Sequence, residues 1–165
     1  MTTIVIPQQG VDTLVSLTFS LDRPGSEVSA SLIGELDADL ASRYPRQWIH
    51  GLHSEDADDP NLVFVVVWDG DRPVGCGALR RIDERTTEVK RMYIKPEARR
   101  KGYSRKLLAF LEQTAQTAGY TSIRLETGTR QPEAIGLYES AGYRVIPAYG
   151  EYVGNPFSVC FEKKL

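Results

Sequence analysis

Met92-Tyr-Ile-Lys-Pro-Glu-Ala-Arg-Arg-Lys-Gly-Tyr-Ser-Arg-Lys-Leu-Leu108 is the stretch that decides the fold of this chain. An extended segment stops at Pro96, a short basic loop follows, and apolar residues then recur at Leu107, Leu108, Leu111, Ala115 and Ala118 with helical spacing. A helix start presents free backbone N–H groups and the positive end of the macrodipole, which together attract an anion. Arg99, Arg100, Lys101, Arg105 and Lys106 crowd that same end. Cations there oppose the dipole at roughly a few tenths of a kcal/mol each. A local conflict of this kind is expected where an anion binds. Gly102 permits a positive φ or a close backbone approach, and a pyrophosphate is a suitable ligand. Without a Gly-x4-Gly-Lys-Ser/Thr run, a P-loop is excluded.

Working outward, Thr86–Lys95 reads as the strand that feeds this loop, and the helix runs from about Gly102 to Ala118, with Gly119 as its stop. Before them, Leu62–Trp68 is a continuous apolar run typical of a buried strand. Asp69-Gly70-Asp71 is a hairpin turn, and Val74–Ile82 is the second arm. Val11–Leu21 reads as a first strand closed by Pro24-Gly25. A helix from Ser26 carries Val28, Leu32, Leu36 and Leu40 and ends before Pro45. Tyr44–Pro60 has no clean period and reads as a loop with one short helix. After the long helix come a strand at Thr121–Thr127, a helix at Glu133–Ser140, and strands near Tyr143–Tyr149 and Phe157–Lys163. The order β-α-β-β-β-α-β-α-β-β is an α/β mixture (α+β in the stricter sense) around one sheet. Residues 1–165 hold no repeat or Gly/Ser linker and are read as a single domain.

Composition narrows the function. The chain has 165 residues, 41% hydrophobic and 25% charged, enough for a real core. The longest apolar run is Leu62–Trp68, whereas a membrane span needs about 20 residues, so no membrane association is expected. Met1-Thr-Thr-Ile-Val-Ile-Pro7 lacks a basic n-region, and Cys76 and Cys160 form no disulfide framework or ligand cluster; a reducing cytoplasm is the expected compartment. The net charge of -2 is unevenly spread. Residues 1–60 carry ten acids against three arginines, and residues 80–106 carry eleven Lys/Arg against four acids. A basic segment in a mildly acidic protein points to a local anionic ligand and away from nucleic acid.

Arg99-Arg-Lys-Gly102-Tyr-Ser104 resembles the Arg/Gln-x-x-Gly-x-Gly/Ala signature of the GNAT superfamily, the acyl-CoA-dependent N-acetyltransferases. Glu88-Val-Lys-Arg-Met-Tyr-Ile-Lys-Pro-Glu97 is similar to the family's strand before the signature. Leu125-Glu-Thr-Gly128 followed by Gln131-x-x-Ala134-x-x-x-Tyr138-Glu-x-x-Gly142-Tyr143 is similar to its second block. The likeness covers residues 62–163 and is that of a small, single-domain, bacterial-type member. It implies a mixed, mostly antiparallel sheet of about seven strands flanked by helices, with a splayed strand pair forming the acyl-CoA cleft. It implies acetyl-CoA as cosubstrate and no metal. Backbone groups at Met92, Tyr93 and Ile94 would pair with pantetheine. Arg99, Arg100, Lys101, Gly102, Tyr103, Ser104 and Arg105 would cradle the phosphates, with Ser104 in place of the usual Gly/Ala. Gln131, where the family often has an asparagine, would touch the pantetheine arm.

The activity implied is transfer of an acetyl group to a primary amine by direct attack in a ternary complex. Glu88 is the expected general base, and Tyr138 matches the family's general acid toward the leaving sulfur. A backbone N–H near Met92 or Tyr93 would stabilise the oxyanion. The acceptor is expected to be a small molecule. The resemblance implies that residues 44–60 and 149–156 set specificity, with Tyr44 and Trp48 available as walls, and the acidity of Glu55, Asp56, Asp58 and Asp59 is expected to draw a cationic amine. A peptide amine, or an acetyl-CoA-binding module without turnover, are the alternative readings; free strand edges leave a homodimer open. His50-x-x-His53 beside Glu55 and Asp56 has the composition of a zinc site, but two histidines in an acidic loop read as solvated side chains. Cys76 reads as a small core residue, and Tyr143, Tyr149, Tyr152 and Phe157 as core or wall residues.

Overall fold

A computed structural model describes Ile4–Val5 and residues 16–165. In chain order the elements are β1 (Ile4–Val5), β2 (Leu17–Asp22), α1 (Glu27–Ala41), β3 (Val63–Asp69), β4 (Arg72–Arg81), β5 (Thr86–Ile94), α2 (Tyr103–Thr117), β6 (Ser122–Gly128), α3 (Pro132–Ser140), β7 (Arg144–Ile146) and β8 (Ser158–Lys164). The strands make one mixed sheet ordered β1-β2-β3-β4-β5-β6-β8-β7, in which, among the described residues, only β5 and β6 pair in parallel.

The continuous apolar run in β3 is explained by burial of both its faces. Val65 and Val67 join Leu79, Ile123, Leu125 and Phe161 beneath Leu107, Leu108 and Leu111 of α2. Phe64 and Val66 point the other way, onto Leu32 and Leu36 of α1 with Cys76, Ala78 and Tyr93. Each fully buried leucine of α2 contributes about 2 kcal/mol over an exposed one. Helix α1 starts where Ser26 accepts a hydrogen bond from the Ser29 N–H (3.1 Å), and both hydroxyls donate to Asp22 at the end of β2. A cap of this type is worth about 1 kcal/mol.

Two sequence expectations change. Of the strand expected at Val11–Leu21, residues 11–15 lie outside the described residues, and the described part is Leu17–Asp22. The strand expected at Tyr143–Tyr149 is only Arg144–Ile146, because Pro147 has no N–H for the ladder. Tyr44–Pro60 holds two 3-10 turns, Arg46–Trp48 and Ser54–Asp58, rather than one.

The feature that positions the site is a gap between β5 and β6. Their pairing runs only from Thr86 opposite Ser122 to Val89 opposite Leu125. Beyond it β6 stays with β8 as far as Gly128, while β5 stays with β4 as far as Ile94. The β4–β5 register shifts between Cys76 and Ala78, and Arg91 has φ 54°. A bulge bends its strand and increases the local twist, so β5 turns away from β6 from Lys90 onward. The Arg91 side chain secures the bend: it is buried, ion-paired with Asp37 of α1, and lies against Gly51. Left-handed backbone at an arginine is strained and is held here by the surrounding contacts.

Candidate active site

Helix α2 begins at the end of β5 after one short turn, Pro96–Ala98. Its N-cap is Gly102 with φ 77°, which offers no side-chain cap, so the first-turn N–H groups have no partner within the helix. Arg100, two residues earlier, has φ 63°. Alternating left-handed residues turn successive N–H groups toward one concavity, a backbone anion nest. Such a concavity is suited to an anion.

The cations of the loop divide. Arg99 turns back toward β5, donating Nε–H to the Ile94 carbonyl (2.9 Å) and lying over the Tyr93 ring. Lys101 and the Tyr103 hydroxyl face Asp69 of β3, and Arg105 donates to Ser140 Oγ of α3 (2.7 Å). Arg100, Ser104 and Lys106 have no side-chain partner among the described residues. Among the described residues the free cationic groups at the helix start are therefore Arg100 and Lys106; the sequence placed Lys106 among the cations of this end but not among the residues expected to cradle the phosphates.

On the α2/α3 face of the gap, Tyr138 is buried, with its hydroxyl 3.8 Å from Met92 Sδ of β5. Burial, and then the Glu126 charge, push the phenol above its ordinary range, so it stays protonated and keeps an O–H to donate. Met92, Tyr93 and Ile94 lie on the part of β5 that β6 has left, so one backbone edge there has no strand neighbour.

The α1 face holds a polar network that the sequence did not disclose. Glu88 is 0% exposed. Its Oε2 accepts from Arg80 Nη2 (2.7 Å) and Nε (3.2 Å), and its Oε1 accepts from the hydroxyls of Tyr152 (2.6 Å) and Tyr149 (2.8 Å). Four donors fill the acceptor capacity of a carboxylate, leaving no lone pair for a substrate proton. Lys90, next on the same strand face, donates to Tyr152 Oη (3.0 Å) and Glu151 Oε1 (2.8 Å). Glu151 also receives His53 Nε2 (3.0 Å) and faces His50 Nδ1 (3.6 Å). His53 is half-exposed, as an acidic loop suggests, but His50 is not: its side chain is 19% exposed, and Nε2 is buried without a partner.

A cavity opens beside this network at the end of β6. Tyr44, Trp48 and Phe157 supply aromatic walls, Leu40 and Ile49 apolar ones, His50 an imidazole and Glu126 a carboxyl group. Gly128 and Gln131 complete it. The Gln131 side-chain oxygen accepts from the Gly128 N–H (3.2 Å) and from the Tyr44 hydroxyl (3.4 Å), so only its NH2 group is left to meet a ligand. Glu55, Asp56, Asp58 and Asp59 do not line the cavity; Asp56 pairs with Arg80 (3.6 Å), and Asp59 accepts from Asn61. The acid in the cavity is Glu126. The sequence contained it within Leu125-Glu-Thr-Gly128 but gave it no role. Its signal was the alternation of β6, where Ile123, Leu125 and Thr127 are buried on one face and Glu126 falls on the other.

Tyr138 and Glu126 thus flank the gap from opposite faces of the sheet. A thioester held in the gap would have a proton donor on one side and an open cavity on the other, which is the arrangement needed for acyl transfer.

Residues 33–143 match the family model described as Acetyltransferase (GNAT) family. The "IAA acetyltransferase" of Azospirillum brasilense is 34% identical over 151 residues, covering 91% of this chain and 99% of that protein. A Klebsiella pneumoniae structure assigned as an acyl-CoA N-acyltransferase is 33% identical with a TM-score of 0.76, covering 90% of this chain and 97% of its own. A Bacillus subtilis acetyltransferase solved in complex with CoA shares the fold (TM-score 0.67, 17% identity, 91% of this chain and 99% of that one).

Proposed function

The chain belongs to the GNAT family of acetyltransferases and is an acyltransferase, and from that premise we propose that it moves an acetyl group from acetyl-CoA to the primary amine of a small molecule in a ternary complex. The observation that carries this reading is the gap between β5 and β6, with Tyr138 on one side and the aromatic cavity on the other. The cosubstrate supplies an activated thioester. The first-turn N–H groups of α2, with Arg100, Ser104 and Lys106, hold its phosphates, and the unpaired edge at Met92–Ile94 holds the pantetheine arm. Arg99, Lys101, Tyr103 and Arg105 shape the loop through the contacts described, and the Gln131 amide faces the arm.

Tyr138 acts as proton donor to the leaving sulfur. Its raised pKa makes full transfer to a thiolate uphill, so its contribution is a hydrogen bond that strengthens as charge develops on sulfur. A backbone N–H at Met92 or Tyr93 faces the developing oxyanion. Glu88 has a holding role: it fixes Tyr149 and Tyr152, and the Tyr152 ring packs against His50 of the cavity wall. The cavity is walled by single aromatic rings and sits between loops, which suits a small amine better than a peptide chain.

The test is release of CoA thiol from acetyl-CoA across a panel of polyamines, amino acids, aminoglycosides, arylalkylamines and short peptides. Release that depends on one small-amine class, and that falls about 100-fold in Tyr138→Phe with acetyl-CoA affinity intact, is the expected result. Acetyl-CoA binding without turnover on any amine would replace this reading with that of a binding module.

A further inference from the structure

Arg91 stands on β5 two residues beyond the last rung shared with β6 and directly before the free edge at Met92–Ile94. Its φ of 54° belongs to the bend, and its carbonyl accepts from the Cys76 thiol of β4 (3.4 Å). From there the guanidinium leaves the sheet. It is ion-paired with Asp37 of α1, and Nη2 donates to the Ile33 carbonyl one turn earlier (3.5 Å). A Cβ built on Gly51 would lie 3.4 Å from Nη1, so the guanidinium fills the space beside the loop that supplies Trp48, Ile49 and His50 to the cavity. Resting on the acetyl-transfer reading above, we propose that Arg91 is a positioning residue that couples the two sites: it ties the bend of the acyl-CoA strand to the acceptor loop, so that filling the gap orders the loop and raises the affinity for the amine.

The choice of residue supports a role beyond the bend itself. A glycine reaches left-handed backbone without strain, whereas an arginine is strained there and also carries a charge into a buried site. The Arg91 side chain is 4% exposed and that of Asp37 is 53% exposed, so the cost of burial falls on the arginine. What the side chain gains is reach: its planar fork meets a carboxylate, a helix carbonyl and the loop backbone at once. Leu52, the next residue of the loop, packs against the cluster that contains Tyr93 of the same strand segment. The loop's other polar ties run from His53 to Glu151 (3.0 Å), from Asp56 to Arg80 (3.6 Å) and from the Trp48 carbonyl to Asn155 (3.2 Å). None of these partners lies on the bent part of β5.

The coupling follows from a shared conformation. Pantetheine pairs with the edge at Met92–Ile94 only while β5 stays bent away from β6, and the same bend aims the Arg91 side chain at Asp37 and Gly51. A ligand stabilises the arrangement to which it binds more tightly, so cosubstrate in the gap favours the docked loop. By linkage, an amine held by that loop favours the bend to the same extent. Arg91 acts through the strand and the loop and takes no part in proton transfer.

The experiment is amide hydrogen exchange on the wild type, Arg91→Gly and Asp37→Asn, each with and without saturating CoA. Arg91→Gly keeps the left-handed backbone and loses the tie; Asp37→Asn, at a half-exposed carboxylate, decides the matter if the glycine variant does not fold. In the wild type, CoA should slow exchange about fivefold or more in the first turn of α2 and also at the Trp48 and Ile49 amides of the loop. In both variants the slowing at α2 should persist, while that at Trp48 and Ile49 falls below about twofold. A wild-type loop that CoA leaves unchanged, with α2 protected, would overturn the coupling. So would loop protection that survives in the variants, which would reduce Arg91 to a support of the bend. No protection at α2 in the wild type would overturn the acyl-CoA reading itself, and this inference with it.

Discussion

The hydroxyl of Tyr44 occupies the space that a side chain at position 128 would need. A Cβ built on Gly128 would lie closer than 3.0 Å to both Tyr44 Oη and Cζ. The ring is held there because its hydroxyl accepts from the Arg130 N–H (2.9 Å) and donates to Gln131 Oε1. The glycine is required for space, since its φ is not in the left-handed region. Gly128→Ala must therefore expel the ring that walls the cavity. The expected outcome is a stability loss of about 1–3 kcal/mol, the usual range for overpacking. Acceptor KM should rise while acetyl-CoA affinity stays near wild type; thermal melts and steady-state kinetics check both.

Glu126 gives a prediction for stability that is separate from catalysis. Its carboxyl in the folded protein is held above the ordinary glutamate range, first by burial. A raised carboxyl contributes stability that is present below its unfolded pKa and is lost as pH rises through the folded value. At neutral pH the ionised group is thus a net cost. Glu126→Gln should melt at a higher temperature than wild type at pH 7–8, and the difference should vanish near pH 4. The sign follows from burial of the carboxylate; a glutamate whose pKa is lowered by its partners would show the opposite sign.

The contrast between Glu88 and Glu126 shows where sequence reasoning stops. The strand–loop–helix at 92–108 was legible nearly to the residue, because Pro96, the basic loop and the helical period are local signals. The strand and helix at 122–140 were legible for the same reason. The bulge was not, because an arginine at φ 54° carries no mark in the sequence; glycine or asparagine would have. Without the bulge there is no gap, and Glu126 would read as one more outward strand residue. Glu88 was legible as a strand carboxylate, but its donors Tyr149 and Tyr152 come from a segment with no period, about sixty residues on. Side-chain saturation is a tertiary property, and local pattern does not carry it.

Arg100 is expected to separate stability from ligand affinity. Left-handed backbone costs an ordinary residue roughly 1–2 kcal/mol, and glycine forfeits about 0.5–1 kcal/mol of that relief through the freedom of the unfolded chain. Arg100→Gly should therefore raise the melting temperature of the free protein slightly. It also removes a guanidinium with no other partner from the helix start, so CoA affinity should fall about tenfold. Melts with and without CoA read both effects, and a variant that keeps full CoA stabilisation would remove Arg100 from the phosphate site.

Glu151 is expected to act as the electrostatic keystone of the α1 face. Burial alone would raise its pKa, but Lys90, His53 and Arg80 outweigh burial and lower it to about 2. A depressed carboxyl contributes stability that is present above its unfolded pKa, near 4.5, and is lost as pH falls through about 2. Glu151→Gln leaves the Lys90 ammonium, whose side chain is 3% exposed, without its carboxylate and with neutral acceptors alone, the new amide oxygen and the Tyr152 hydroxyl. Stranding one partner of a buried pair costs about 3–5 kcal/mol, and the partial exposure of Glu151 puts this case at or below the lower end. Denaturant unfolding at pH 7 should show that loss, and the gap between wild type and variant should narrow from pH 4.5 toward pH 2. Because Glu151 also faces His50 and His53, the same substitution frees the cavity wall, so acceptor KM should rise with little change in CoA affinity. A gap that stayed constant across that pH range would show that the variant's loss comes from packing and not from charge.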